Sequence, residues 1–133
     1  MPSIHPLAVA CACALGLLLF GLGTAVSLAR IRSQRLIGVS DDPDAWLNRL
    51  VRAHGNTAEY APMLALLCLA LGMLAPSTPA LVAMVLATLA RVLFAVGMLT
   101  ATTLSRPNPI RFAGALGTYV AGVALVVLLA LAV

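Results

Sequence analysis

Residues 52–62 read RAHGNTAEYAP, from Arg52 to Pro62, and run directly into MLALLCLALGML, residues 63–74. An arginine, an asparagine and a glutamate here enter an apolar run, in a chain that is 62% hydrophobic and 9% charged over its 133 residues. The mean hydropathy of +1.09 lies far beyond the roughly half-apolar composition of a water-soluble domain. A hydrocarbon layer about 30 Å thick requires about 20 apolar residues per helix, and the chain offers four such runs. The expected fold is therefore all-α: one integral membrane four-helix bundle, with helices over about residues 6–30, 43–74, 80–103 and 110–133.

The polar separators agree with this division. The first run, about Leu7 to Ala29, lacks a basic leader and is long enough to span, so it reads as a retained helix and not a signal peptide. After Arg30, Arg32 and Arg35 comes IGVSDDPDAW, whose Asp42-Pro43-Asp44 has the chemistry of a cap and first turn of helix two. Trp46 then falls at headgroup level. Ala75 to Pro79 form an uncharged turn, and LSRPNP, residues 104–109, breaks the chain before helix four.

All eight basic side chains are arginines, against three aspartates and one glutamate. Arg30, Arg32, Arg35, Arg49 and Arg52 flank the first connection and Arg106 and Arg111 the third, while the second connection and the C-terminus have none. The positive-inside rule puts connections one and three in the cytoplasm and both termini outside. Basic residues beside apolar spans point to membrane lipid headgroups as partners and away from nucleic acid. Cys11, Cys13 and Cys68 fall within apolar runs and read as buried small hydrophobes, and no metal-ligand spacing accompanies them. On helix four, Ala113, Gly117 and Ala121 form one row of small residues and Gly114, Thr118 and Gly122 another, which suits close helix packing in lipid within or between chains.

At 100° per residue, Arg49, Arg52, Asn56, Glu59 and Met63 fall within one arc of helix two, with Tyr60 on its flank. Glu59 lies about 10 Å deeper than Arg52 at 1.5 Å rise per residue. A charge at that depth costs several kcal/mol unless it is paired or faces water. Arg91 on helix three matches the depth of Glu59, so one reading is an ion pair between them that fixes helix register. Pro62 cannot donate to the carbonyl of Ala58 and is a candidate kink. A single pair leaves Arg49, Arg52, Asn56 and Tyr60 unused at the same entrance. Such a surplus of fixed donors suits an anionic, hydrogen-bonding ligand: guanidinium forks hold carboxylates, the Asn56 amide both donates and accepts, and Glu59 can accept from an ammonium group.

Arg52, Ala53, Asn56, Glu59, Tyr60 and Pro62 together resemble the helix-two signature of the membrane-associated proteins in eicosanoid and glutathione metabolism, the MAPEG family, and the resemblance extends over the chain in outline. The length is typical of bacterial members. The resemblance implies a homotrimer in the bacterial inner membrane, with glutathione as cosubstrate at each subunit interface. It assigns glutathione contacts to Arg52, His54, Asn56, Glu59 and Tyr60, and to Arg35 or Arg32 at the end of helix one. Arg91 joins this candidate site by its depth. An arginine near the start of helix four faces the sulfur in relatives; Arg111 is the match, with Arg106 in reserve. The chain departs from the pattern at Phe94 and Met98, where two ligand-contacting tyrosines are expected, and in a longer third connection.

The implied activity is that of a glutathione transferase or peroxidase acting on lipophilic small molecules. Arg111 would favour the thiolate without taking a proton, since a thiol with a pKa near 8.5 is mostly protonated at neutral pH. The alternatives are a non-catalytic binding or structural member of the same fold, which the loss of hydroxyls at Phe94 and Met98 favours, and a small proton-coupled exporter built on Glu59. The arginines around Glu59 would repel the cationic cargo of such an exporter.

Overall fold

The computed structural model describes residues 3–133. Four helices make up the protein: α1 (Pro6–Ser33), α2 (Trp46–Gly72), α3 (Thr78–Thr100) and α4 (Pro109–Ala132), with no strand among the described residues. Proline occupies the first turn of α1, α3 and α4, where its missing N–H is not needed. His5 and Asn108 cap two of these starts, through Nδ1 to the amide of Leu7 and through Oδ1 to the amide of Arg111. The α1 helix ends on Gln34 in the left-handed region, at φ 55°.

Helix α2 begins at Trp46, three residues after the expected start at Pro43. Asp42 does not cap the helix; its Oδ1 accepts from the amide of Asp44 at 3.0 Å, closing a local turn. The carboxylate of Asp44 is drawn instead to the third connection, where it accepts from the amide of Leu104 at 3.0 Å. The first connection is held by Asn48, whose amide bonds the carbonyls of Ser40 and Asp42 and accepts from the amide of Ser40. Arg30, at the end of α1, and Arg35, just past it, reach forward to the carbonyls of Leu36 and Val39.

Helix α1 packs chiefly on α2, and α3 on α4, while α2 against α3 joins the two pairs; α1 and α4 do not touch. The main core lies in the half distant from the basic connections and combines Cys11 and Leu15, Leu64 and Cys68, Met84 and Ala87, and Leu125. A smaller cluster of Leu22, Ala53, Phe94, Ala95 and Met98 lies nearer them. Cys11 and Cys68 are buried as expected, but Cys13 faces outward, because two residues on a helix turn about 200°. Helix α2 passes through Pro62 as one continuous helix.

Lengths and surface chemistry agree with a bilayer environment. Helices α1, α3 and α4 are long and apolar enough to cross it, and their outer faces display side chains such as Leu17, Phe20 and Val123. A helix pairs the main-chain polar groups of its interior within itself, which is what a hydrocarbon solvent demands. At 27 residues, α2 matches the others in length but carries Arg49, Arg52 and Glu59 in its first half. The protein is an integral membrane protein.

Small residues on α3 and α4 allow a close crossing near the basic end. A Cβ on Gly97 would stand 2.6 Å from the amide nitrogen of Arg111, and one on Gly114 would collide with the backbone of Phe94. The Gly114 row of α4 thus packs within the protomer, its members Gly114 and Thr118 being buried.

Candidate functional site

Connections one and three lie at the same end of the bundle, where Arg49 bridges them by donating to the carbonyls of Asp44 and Thr102 at 3.1 Å each. Arg49 therefore braces the entrance and does not line it. Asp44 completes the tie: the amide of Leu104, followed by the hydroxyl of Thr103, holds its carboxyl below the usual value of 3.8. Asp41 is held low in the same sense by the Arg35 guanidinium at 2.7 Å, the one ion pair among the described residues.

Beneath this tie, α2, α3 and α4 enclose an open cavity of about 850 Å³, a volume suited to a small organic ligand. Arg52 and Asn56 enter it from α2, Phe94 and Met98 from α3, Arg111 from α4 and Arg106 from the third connection. Three arginines thus line a cavity that has no carboxylate among the described residues of its wall. Arg111 is held by neutral partners: Nη2 donates to the carbonyl of Arg106 at 3.1 Å, and Nη1 to the carbonyl of Leu104 at 3.4 Å and to Sδ of Met98 at 3.9 Å. Among the described residues no carboxylate pairs with its charge.

Arg91 is 1% exposed and does not form the expected ion pair with Glu59. Its Nη2 donates to Oδ1 of Asn56 at 2.8 Å, Nη1 reaches the hydroxyl of Thr118 at 3.5 Å, and Nε has no partner. The guanidinium lies over the rings of Tyr60 and Phe94, at 5.2 and 4.7 Å from their centroids, where the ring quadrupole favours a cation. Equal depth along two helices does not set their rotation about their own axes, and the rotation found here aims Arg91 at Asn56. That bond orients the amide: with Oδ1 committed to Arg91, Nδ2 faces Glu59, whose Oε2 is 3.5 Å away. Arg91 therefore fixes Asn56 from beneath the cavity and does not line it.

Glu59 and Tyr60 line an adjoining groove of about 470 Å³ between α2 and α4. There the hydroxyl of Tyr60 meets that of Tyr119 at 3.2 Å, an α4 residue that sequence reasoning did not single out. His54 points the other way and packs over Gly23 of α1, its Nε2 being 3.2 Å from the position of a Cβ there. Arg35 is also remote, in a separate groove at the α1–α2 junction with Arg32 and Trp46. The structure thus brings Arg52, Asn56, Arg106 and Arg111 together, sets Glu59 and Tyr60 beside them with Arg91 behind, and keeps His54 and Arg35 outside this set.

A model of the MAPEG family matches residues 8–131, nearly the whole chain and all four helices. The chain belongs to the MAPEG family. No curated protein matches it. The family includes glutathione transferases and related membrane proteins, and its members commonly use glutathione. In this MAPEG chain Arg52 and Asn56 of the helix-two signature line the basic cavity, and Glu59 and Tyr60 line the apolar groove. Phe94 and Met98 form the α3 wall of the cavity, so that wall offers no hydroxyl.

Proposed function

We propose that this MAPEG protein binds glutathione in the cavity beneath its basic connections and uses it, as transferase or peroxidase, on lipophilic electrophiles or hydroperoxides that arrive through the bilayer. The observation that carries the reading is the cavity's three arginines without a carboxylate, beside an amide fixed by Arg91. Glutathione brings two carboxylates, a peptide backbone and an ammonium group. Arg52 and Arg106 suit the carboxylates, Asn56 the backbone, and Glu59 the ammonium, with Tyr60 as a further hydrogen-bonding group. A guanidinium with only neutral partners favours a thiolate over a thiol, and Arg111 is such a group.

His54 and Arg35 lie on the α1 side of α2, across from the cavity. In a homotrimer with glutathione at each subunit interface they would serve the site of a neighbouring protomer. Exposed Glu59 and Met63 on α2, and Tyr119 and Val123 on α4, supply a face for such a neighbour. The arginine distribution supports a cytoplasmic side for connections one and three, in keeping with a bacterial inner membrane and glutathione entering from that side. A non-catalytic binding role is the second reading, favoured by the apolar Phe94 and Met98 wall.

Turnover with a chlorinated nitroarene decides between the two readings. Conjugation that is lost in Arg111→Ala, together with the thiolate absorbance of bound glutathione, supports catalysis. Thiolate formation in Arg111→Ala at the wild-type pH removes the assigned role of Arg111.

A further inference from the structure

Met98 is a cavity residue whose own chemistry the preceding reading leaves unused. Its Sδ is 3.9 Å from Nη1 of Arg111, and its side chain lines the same cavity. Met98 is itself buried, at 6% exposure, but its side chain forms part of the cavity wall, whereas Met84 is fully buried in the core and Met63 and Met73 are exposed. Met98 therefore combines a nucleophilic thioether, an approach for a small oxidant and an adjacent cationic donor.

We propose that Met98 is a redox-modification site, at which an alkyl hydroperoxide entering the cavity without bound thiol transfers an oxygen atom to Sδ and so disables Arg111. The inference rests on the glutathione reading for its functional consequence, though not for the chemistry at sulfur. A sulfur lone pair attacks the distal oxygen of the hydroperoxide. The S–O bond forms as the O–O bond breaks, the alkoxide leaves against the Arg111 guanidinium, and it takes the proton from the new S–OH. The products are a sulfoxide and an alcohol, with sulfur oxidised by two electrons and the peroxide reduced by two.

The thioether is a weak acceptor, and its oxidation yields a polar sulfoxide. The sulfoxide oxygen accepts from Arg111 and draws the guanidinium away from the position of a thiolate. Bound glutathione protects Met98, because its thiolate occupies Arg111 and takes the peroxide oxygen first. The device thus senses peroxide in excess of thiol, and it is reversible, since methionine sulfoxide is a substrate for reductases.

The test treats detergent-solubilised full-length protein with cumene hydroperoxide, with and without glutathione, and quantifies oxidation at each methionine by peptide mass spectrometry. Without glutathione, Met98 oxidises faster than Met84, and Arg111→Ala slows it about tenfold through loss of the donor to the leaving oxygen. Met84 reports folding within each sample, because an unfolded variant exposes it too. Glutathione suppresses oxidation at Met98 while Met63 and Met73 still react. Oxidised wild type loses turnover and regains it with methionine sulfoxide reductase, and Met98→Leu keeps its own starting turnover after the same treatment. An oxidation rate at Met98 no greater than at Met84, or unchanged by Arg111→Ala, overturns the proposal. Loss of turnover in Met98→Leu equal to that of wild type also overturns it. The Arg111 dependence is read without glutathione, so failure of glutathione binding is seen separately, by calorimetry.

Discussion

Gly97→Ala probes the link between helix packing and the site. Gly97 faces the start of α4, and an added Cβ would lie 2.6 Å from the nitrogen of Arg111, 2.9 Å from its Cα and 3.1 Å from the carbonyl carbon of Ile110. All three are backbone atoms and cannot rotate aside. Reaching ordinary van der Waals contact at 3.4 Å requires a displacement of about 0.8 Å between α3 and the first turn of α4. Alanine improves helix propensity by about 1 kcal/mol, against about 1–3 kcal/mol for overpacking. The net loss of stability is therefore at most about 2 kcal/mol, and the variant remains folded. A misplacement approaching 1 Å at a catalytic group costs up to about 10²-fold in rate, so kcat/KM for a chlorinated nitroarene should fall by tens-fold. Glutathione affinity should fall less than turnover does, because Arg52 and Asn56 stand on α2, away from the crossing, and only the contacts of Arg106 and Arg111 move with α4. The assay pairs turnover with calorimetric binding, using Gly16→Ala as control, where an added Cβ meets nothing within 4 Å. Turnover equal to wild type in Gly97→Ala would refute the argument that this crossing places Arg111.

Other outcomes follow from the same geometry. Arg91→Leu removes the donor to Asn56 at 2.8 Å; the loss of a charged hydrogen bond, about 1.5–3 kcal/mol, should weaken glutathione binding tenfold or more by calorimetry. Asp44 is held below 3.8 by Leu104 and Thr103, so its ionised tie is complete above that value and lost as pH falls through its lower folded value. Hydrogen-exchange protection of the Leu104 amide should therefore persist from neutral pH to below 3.8, and its loss at higher pH would count against the tie. Asp41→Cys and Ser105→Cys should react with an impermeant maleimide only from the cytoplasmic face and Ser77→Cys only from the opposite face; labelling of Asp41→Cys and Ser105→Cys from opposite faces would contradict the shared end.

Four helices were legible in the chain because uninterrupted apolar runs of membrane length leave few alternatives. The observed helix ends lie within three residues of the expected ones, and at the start of α2 the shift has a polar cause. Asp42-Pro43-Asp44 has the composition of a cap, yet Asp44 bonds a residue 60 positions away, in the third connection, and no local pattern discloses that. The stripe of Arg52, Asn56, Glu59 and Tyr60 followed from helical periodicity, which is a property of one helix. Whether Arg91 meets Glu59 or Asn56 depends on the rotation of α3 relative to α2, which depth cannot supply. Tyr119, one tyrosine in an apolar helix, carries no signal in the sequence until its partner, Tyr60, is seen at 3.2 Å. In the sequence Met98 stands out only by a lost hydroxyl, and the placement of Arg111 gives its sulfur a meaning.

Calorimetric titration of the detergent-solubilised protein with glutathione, beside the Asn56→Ala, Glu59→Ala double variant, tests the central claim most directly. The account predicts saturable binding to the wild-type protein and at least about a hundredfold loss in the variant, from two hydrogen bonds to charged groups at about 1.5–3 kcal/mol each. Equal binding by both proteins, or none by the wild type, would contradict it.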